Sequence, residues 1–296
     1  MMTLVFLFVV VMPSVLADPT DNPASDAFGR IGCSVTTPRI ENIYMSNVDI
    51  EYVTMKNLID QIESKIDQAG LQETVEYDTD HPKDCSEITG ESGVYTVKPI
   101  EGSKPFTVYC DMETDGGGWT VIQRRTDGST GFNRGWIDYR KGFGSKNLDY
   151  WMGNENLFWM TAQDHYELRV ELQDFQDAIR LAIYDRFKVG DEGTRYKLLI
   201  GSYNGGDAGD ALKSHNHAPF TTPDYDNDFS TNGNCAAYFQ SGWWFTNCYH
   251  SNLNGLYRSH GEEVDTKGIV WSEWRGLNIS LKATEMKIRP KATPLE

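Results

Sequence analysis

Residues 224–255 bring acidic side chains, two cysteines and a tryptophan pair into one stretch, DYDNDFSTNGNCAAYFQSGWWFTNCYHSNLNG. Carboxylates occupy every second position at its start, at Asp224, Asp226 and Asp228. Such carboxylates could bind a metal ion, act as a catalytic pair or form a solvated acidic turn. Their hard oxygen atoms suit Ca²⁺, which takes about six to eight oxygen ligands in flexible geometry.

The spacing of these carboxylates excludes an EF-hand. That loop needs glycine at its sixth position and a bidentate glutamate at its twelfth. When Asp224 takes the first position, Phe229 stands in place of the glycine and Cys235 in place of the glutamate. When Asp226 takes it, the twelfth residue is Ala237. A calcium site here therefore needs another ligand pattern.

The chain lacks the short motifs of common enzymes. Neither GxSxG nor HExxH occurs, and the spacing of serines and histidines does not suggest a catalytic triad. The glycine-rich stretch GSYNGGDAGDAL lacks the Lys-Ser/Thr that ends a phosphate-binding loop. We therefore expect a binding protein and no catalytic activity.

Composition narrows the class of partner. The 296 residues are 39% hydrophobic and 12% aromatic, enough for a sizeable core, and carry a formal net charge of −16. Nucleic-acid binding needs a basic surface, which this chain lacks. We therefore expect no nucleic-acid partner.

The first seventeen residues, MMTLVFLFVVVMPSVLA, form an uncharged apolar run that Pro13 interrupts and small residues close. The run is too short to span a membrane comfortably, which argues against an anchor. Residues 1–17 are therefore predicted to be a cleaved signal peptide. We expect secretion and no membrane insertion, since no other segment approaches spanning length.

In an oxidising compartment the five cysteines are disulfide partners before they are metal ligands. A structural zinc site is not expected, because the chain has no CxxC pair. Proximity in sequence favours the pairs Cys85–Cys110 and Cys235–Cys248. Cys33 is then left over as a candidate for an interchain bond.

The region before residue 84 divides into three parts. Residues 18–41 read as a flexible segment containing Cys33, and residues 71–83 read as a polar hinge. Between them, residues 42–70 carry apolar residues at alternating steps of three and four, namely Met45, Val48, Tyr52, Met55, Ile59, Ile62 and Ile66. This seam fits a helix packed on its own domain, or a short coiled coil between chains. The charged opposite face favours the coiled coil, and isoleucine at both seam positions favours a trimer.

From residue 84 onward the chain becomes rich in glycine and aromatic residues. Alternating runs predict strands at residues 93–97, 106–112, 119–125, 167–173, 196–201 and 286–290. Residues 147–163 indicate a short helical stretch. The predicted class is α+β, with more strand than helix.

Seven motifs in this region resemble, in order, the fibrinogen C-terminal domain family of ficolins, tachylectins, angiopoietins and fibrinogen chains. They are GGGWTVIQRR, WIDYRKGFGS, YWMGNENL, GDAL, DNDF…NC, SGWWFTNCYHSNLNGLY and MKIRP. The resemblance covers residues 84–290 and leaves 291–296 as a tail. It implies that globular fold, an antiparallel sheet with short helices and a loop-rich calcium and ligand subdomain.

The resemblance also implies a set of site residues. Ca²⁺ would be held by the carboxylates of Asp226 and Asp228 with the backbone carbonyls of Ser230 and Asn232. Six residues separate Asp228 from Cys235 where ficolins usually have five, which affects the carbonyl register.

Beside this loop, the resemblance implies a ligand pocket with a cis bond between Asn247 and Cys248. The N–H groups of Cys248 and Tyr249 would then face a ligand oxygen. Phe239 matches an aromatic wall, and His215 matches a histidine tied to pH-dependent ligand release in ficolins, or else is an ordinary loop histidine. Asp265 replaces a tyrosine of the acetyl-binding members, which disfavours acetylated sugars.

The leading hypothesis from sequence is a secreted, calcium-dependent lectin that binds glycans or glycoproteins multivalently, in innate immune or cell-surface recognition. The alternatives are an angiopoietin-like ligand for a receptor and an adhesive protein that binds peptide knobs, as fibrinogen does. Asn278 begins the sequon NIS and is a candidate glycosylation site.

Overall fold

The computed structural model describes residues 81–261 and 266–291, together with Gln61 and Ser64, which are helical and exposed. The predicted signal peptide, the flexible segment with Cys33, the seam of the coiled coil and Asp265 lie outside these residues. Within the described part, no helix is long and apolar enough to cross a membrane.

The described part contains twelve strands, most of them short. They are β1 (Gly93–Val97), β2 (Phe106–Asp111), β3 (Trp119–Arg125), β4 (Phe143–Gly144), β5 (Tyr150–Trp151), β6 (Tyr166–Gln173), β7 (Ile179–Val189), β8 (Leu198–Ile200), β9 (Tyr203–Gly206), β10 (Ser251–Asn252), β11 (Val270–Trp271) and β12 (Ala283–Pro290). The α-helices in the same part are α1 (Trp136–Lys141), α2 (Asn154–Ala162), α3 (Cys235–Phe239) and α4 (Ser272–Arg275).

One large antiparallel sheet organises the domain, in the order β1-β2-β3-β12-β6-β7-β8. The short strands β5 and β9 join its β3 and β7 respectively, and β10 pairs with β11 separately. The last strand, β12, therefore lies between β3 and β6 in the middle of the sheet. The predicted α+β class with an antiparallel sheet is confirmed.

The sequence prediction missed β7 and the short strands β4, β5, β9, β10 and β11, and it misplaced the start of one helix. Strand β7 is the longest and was not predicted, because a register shift against β6 breaks its alternation. Its buried residues are Ala182 and Tyr184, then Phe187 and Val189, with the step of two lost between the pairs. The predicted helical stretch at 147–163 was too long, since it begins with β5 and only Asn154–Ala162 is helical.

Aromatic side chains fill the core beneath the second half of the domain. Trp244 is fully buried and lies 5.3 Å from Phe220 and 6.0 Å from Trp151, measured between ring centroids. The Trp244 indole N–H donates to the carbonyl of Tyr196 at 2.7 Å. The tryptophan pair at 243–244 therefore belongs to the core, and it anchors the residues that follow it.

Strand β12 carries a buried lysine that contacts three carboxylates. Lys287 is 1% exposed, and its Nζ lies 2.7 Å from Asp111, 2.9 Å from Glu171 and 3.1 Å from Glu285. Burial opposes its charge, but these carboxylates together raise the pKa of Lys287 above its ordinary value. The lysine therefore stays protonated and joins β2, β6 and β12.

Candidate functional site

The three alternating aspartates of the acidic loop (residues 224–234) do not serve one purpose. Asp224 Oδ1 accepts the backbone N–H of Trp136 at 2.9 Å and the hydroxyl of Thr222 at 2.7 Å. Trp136 is the first residue of α1. Asp224 therefore holds the loop against that helix.

Asp226 and Asp228 face each other. The Asp228 N–H donates to Asp226 Oδ1 at 3.2 Å, while the two Asp228 oxygens accept the N–H groups of Ser230 and Cys235, both at 2.8 Å. Burial raises the pKa of Asp228, the two N–H donors lower it, and the Asp226 carboxylate raises it again, with a net increase. Two carboxylates this close repel one another, and a cation between them would remove that repulsion.

The donor chemistry of the loop fits a hard cation such as Ca²⁺. In the described part of the chain, the carbonyls of Ser230 and Asn232 accept no hydrogen bond, so both remain available beside the carboxylates. The same residues contain no group of three or more His, Cys, Asp or Glu side chains gathered as in a metal cluster. An ion at Asp226 and Asp228 would therefore draw its other ligands from backbone carbonyls and water.

The acidic loop is joined to the turn at residues 245–249, which we name the Cys248 turn. The disulfide Cys235–Cys248 connects the start of α3, directly after the loop, to this turn, and the Phe229 N–H donates to the Thr246 carbonyl at 3.1 Å. Cys85–Cys110 is the other disulfide among the described residues, so both pairs are those favoured by the spacing. The peptide bond between Asn247 and Cys248 is cis.

An aromatic pair lies beside the Cys248 turn. The rings of Phe239 and Tyr249 meet edge to face with centroids 4.7 Å apart, and the Tyr249 hydroxyl donates to the carbonyl of Thr266. Asn247 is exposed, and the Cys248 N–H donates no hydrogen bond to the described residues. Phe239, Asn247, Cys248 and Tyr249 of the predicted pocket therefore lie together.

His215 does not line this pocket, because its side chain is fully buried behind the turn. Its Nε2 accepts the N–H groups of His250 at 3.1 Å and Ser251 at 3.0 Å, so Nδ1 carries the proton and donates to the Trp244 carbonyl at 2.7 Å. Burial lowers the pKa of His215 to about 4. The neutral imidazole therefore fixes the backbone that follows Tyr249, and any effect on a ligand is indirect.

The sequence prediction missed a set of exposed aromatic side chains on the same segment. Among the described residues, the exposed large aromatic side chains are Tyr225 (43%), Phe229 (57%) and Tyr238 (63%). We name these three the aromatic surface. The Asn234 amide donates to the carbonyl of Thr222 at 3.0 Å, which holds the two ends of the loop together. For Tyr225 and Phe229 the signal was present in the letters DYDNDFS, where each aromatic residue stands next to an aspartate, whereas Tyr238 had no such signal.

An open cleft of about 660 Å³ lies elsewhere, where the chain enters the domain. Its lining includes Lys83, Lys98 and Tyr166, and the Tyr166 hydroxyl donates to buried Asp84. It contains none of the predicted site residues. The predicted glycosylation residue, Asn278, is exposed in a bend after α4.

Comparison with known proteins identifies close similarities. The family model described as fibrinogen beta and gamma chains, C-terminal globular domain, matches residues 81–291. Fibrinogen-like protein 1 of Homo sapiens is 50% identical over 226 residues, which cover 70% of this chain and 72% of that protein.

Two solved structures are also similar. The fibrinogen-like globe domain of human ANGPTL2 matches with a TM-score of 0.68 and 43% identity, covering 71% of this chain and 99% of that one. A lamprey fibrin D-dimer complexed with the peptide ligand Gly-His-Arg-Pro-amide matches with a TM-score of 0.68 and 32% identity, covering 83% of this chain and 87% of that one.

Proposed function

Because this chain belongs to the fibrinogen C-terminal domain family, we propose that it is a secreted, non-enzymatic ligand whose globe binds an extracellular protein. The observation that carries the proposal is the aromatic surface of Tyr225, Phe229 and Tyr238 on the acidic loop and helix α3. Aromatic side chains are enriched at protein interfaces and supply many of their binding hot spots. Tyr225 and Tyr238 each pack one edge on a neighbouring ring, Trp136 and Phe239 respectively, but much of all three side chains stays in solvent, where it adds nothing to the fold.

The chemistry of the partner follows from the charges around these rings. Asp224, Asp226 and Asp228 flank Tyr225 and Phe229, while the Lys267 ammonium lies 4.9 Å from the Tyr238 ring centre, and the whole chain is acidic. A partner segment that combines apolar and basic side chains would complement them. The peptide in the lamprey structure, Gly-His-Arg-Pro-amide, combines basic and apolar residues in this way. The ANGPTL2 globe is a second solved domain to which this chain is similar.

Calcium has a structural part in this proposal. Asp226 and Asp228, with the carbonyls of Ser230 and Asn232, would hold Ca²⁺, whose charge offsets the repulsion between the two carboxylates. The loop backbone would then keep Phe229 in place next to Thr246 of the Cys248 turn. Partner binding would accordingly weaken when calcium is removed.

Multivalency is the second part of the proposal. The predicted helix at 42–70 would join chains, with a trimer favoured, and Cys33 would add a covalent bond. Linked sites can raise avidity by about 10²–10⁴-fold over one site. A Cys33→Ser protein that migrates like wild type on both reducing and non-reducing gels would exclude the covalent bond.

Glycan recognition is the second candidate function, and the Phe239–Tyr249 pair beside Cys248 favours it. An apolar wall next to an amide donor is an arrangement that can hold a sugar substituent. In this reading the protein is a calcium-dependent lectin of innate or cell-surface recognition.

One experiment separates the two functions. Wild-type protein is applied to a panel of cell-displayed receptor ectodomains and to a glycan array, each with calcium or with chelator. The double variant Phe229→Ser/Tyr238→Ser is compared with Val94→Ser, which removes a side chain that is 45% exposed on β1. Ectodomain capture that only the double variant loses supports the first function. Chelator-sensitive glycan binding that both variants keep supports the second.

A further inference from the structure

The dipeptide Asn-Gly occurs three times in the sequence, at residues 204–205, 232–233 and 254–255. Glycine has no side chain to shield its own backbone nitrogen, so Asn-Gly is the dipeptide in which that nitrogen most easily reaches the asparagine side chain. The three copies share the same local chemistry. Any difference in their reactivity must therefore come from the fold.

The fold restrains the first and third copies. Asn204 lies in β9, where Gly205 pairs with Ile183 of β7. Asn254 is fully buried, its amide donates to the Gly242 carbonyl at 2.9 Å, and its oxygen accepts the Gln123 amide at 3.2 Å. In both copies, the chain must open locally before the nitrogen can approach the side chain.

The fold restrains the second copy least, since its one hydrogen bond among the described residues runs from the Asn232 backbone N–H to Ser230 Oγ at 3.2 Å. Asn232 and Gly233 are both exposed in the acidic loop, outside any helix or strand. Within the described part of the protein, neither the Asn232 side chain nor the Gly233 N–H makes a hydrogen bond. Gly233 has a φ of +118°, and a Cβ built on it would meet no atom within 4 Å. Neither a side-chain hydrogen bond nor a steric contact at Gly233 therefore opposes the approach of the Gly233 nitrogen to the Asn232 amide carbon.

We infer that Asn232 is a site of spontaneous deamidation, which converts the acidic loop into aged forms with an additional carboxylate. The deprotonated Gly233 nitrogen attacks Asn232 Cγ, forming an N–C bond, and the Cγ–Nδ2 bond breaks to release ammonia. Water then opens the resulting succinimide. Attack at Cγ gives aspartate, and attack at the backbone carbonyl carbon gives isoaspartate.

Both products change the loop that contains Asp226 and Asp228. Each adds one negative charge, and isoaspartate also routes the main chain through the side-chain carbon of residue 232. The carbonyls after Ser230 therefore shift. The inference concerns the loop without a bound cation and is therefore tested in chelator, because Ca²⁺ held by the Asn232 carbonyl would restrain the same residue.

The test follows all three Asn-Gly pairs in one protein sample. The full chain is incubated in chelator at mildly alkaline pH, which favours the deprotonated nitrogen, and digested at intervals for peptide mapping by mass spectrometry. Isoaspartyl methyltransferase labels the isoaspartate product. A parallel sample is incubated in denaturant, where the fold no longer distinguishes the pairs.

In the native sample we expect Asn232 to react at least about ten times faster than Asn204 or Asn254, because those two react only from opened molecules. In denaturant the three rates should converge. Isoelectric focusing should show an acidic band that grows in wild type and not in Asn232→Gln, whose longer side chain cyclises slowly. Similar native rates at the three pairs, or an intact Asn232 in native protein that reacts in denaturant, would overturn the inference.

Discussion

The Asp228 carboxylate accepts the backbone N–H of Cys235 at 2.8 Å and thereby connects the acidic loop to the disulfide-bonded helix α3. Asp226 makes no comparable bond across the loop, since its Oδ1 accepts only the N–H of Asp228 at 3.2 Å. The two aspartates therefore differ in what they contribute without a cation. Asp228 supports the loop in either condition, and Asp226 contributes mainly through its charge.

The first prediction separates these roles by thermal unfolding in calcium and in chelator. Asp226→Asn should lower the melting temperature in calcium and leave it equal or slightly higher in chelator, because the repulsion with Asp228 is gone. Asp228→Asn should lower stability in both, by about 1–3 kcal/mol, because an amide cannot accept both N–H groups. If Asp226→Asn lowers the melting temperature equally in calcium and in chelator, calcium does not bind at Asp226.

The second prediction concerns acid stability through His215. Burial holds its folded-state pKa at about 4, below the ordinary value of 6.5, so the unfolded chain binds the proton first. The neutral His215 side chain therefore contributes fully to the free energy of unfolding above pH 6.5, and this contribution is lost as the pH falls toward 4. Between pH 7.5 and pH 5 the loss should be about 2 kcal/mol.

Urea unfolding at the two pH values measures this effect. His215→Gln cannot titrate, so it should be less stable than wild type at pH 7.5 but should lose about 2 kcal/mol less on acidification. His217→Gln, which changes a neighbouring histidine, serves as the matched control. A wild-type slope in His215→Gln would show that other groups govern acid unfolding.

The third prediction concerns Lys287 and its three carboxylates. Lys287→Met removes the cation and leaves Asp111, Glu171 and Glu285 facing one another in a largely buried position. The free energy of unfolding should fall by about 3–5 kcal/mol. Chemical denaturation checks this, with Lys188→Met, a half-buried lysine on β7, as control. A loss no larger than that of the control would show that water already screens these charges.

The fourth prediction concerns the aromatic surface. Phe229→Ser should change the free energy of unfolding by no more than about 0.5 kcal/mol, since its side chain is exposed. Tyr238→Ser also removes an edge contact with Phe239 and should cost no more than about 1.5 kcal/mol. Thermal unfolding and analytical gel filtration measure stability and solubility together. A large destabilisation would show that these rings pack in the fold and would weaken the case for a binding surface.

The alternation of apolar and polar residues was enough to predict most of the long strands of the sheet. Strands such as β1 and β3 alternate regularly between turn residues, so their limits agree closely with the predicted ones. Strand β7 was not predicted because its bulge separates the buried residues Tyr184 and Phe187 by three positions, where a regular strand has two. Residues 147–163 contain a helix, but strand pairing of Tyr150 and Trp151 with β3 removes the first part of it.

The site was predictable where it depends on close spacing and not where distant segments meet. Asp226 and Asp228 stand two residues apart, and proximity also favoured the pair Cys235–Cys248. The role of Asp224 depends on Trp136, 88 residues away, and the burial of His215 depends on contacts with residues 35 and 36 positions later. No local pattern contains this information, because the sheet and the aromatic core bring these segments together.

The position of β12 has a consequence for biosynthesis. Because residues 283–290 fill the gap between β3 and β6, a nascent chain cannot complete its central sheet until this final strand has left the ribosome. Until then the backbone N–H and C=O groups along the facing edges of both neighbours stay unpaired, which exposes the nascent chain to misassociation. Chains that end before residue 283 should therefore fail to complete the sheet and accumulate as misassociated material.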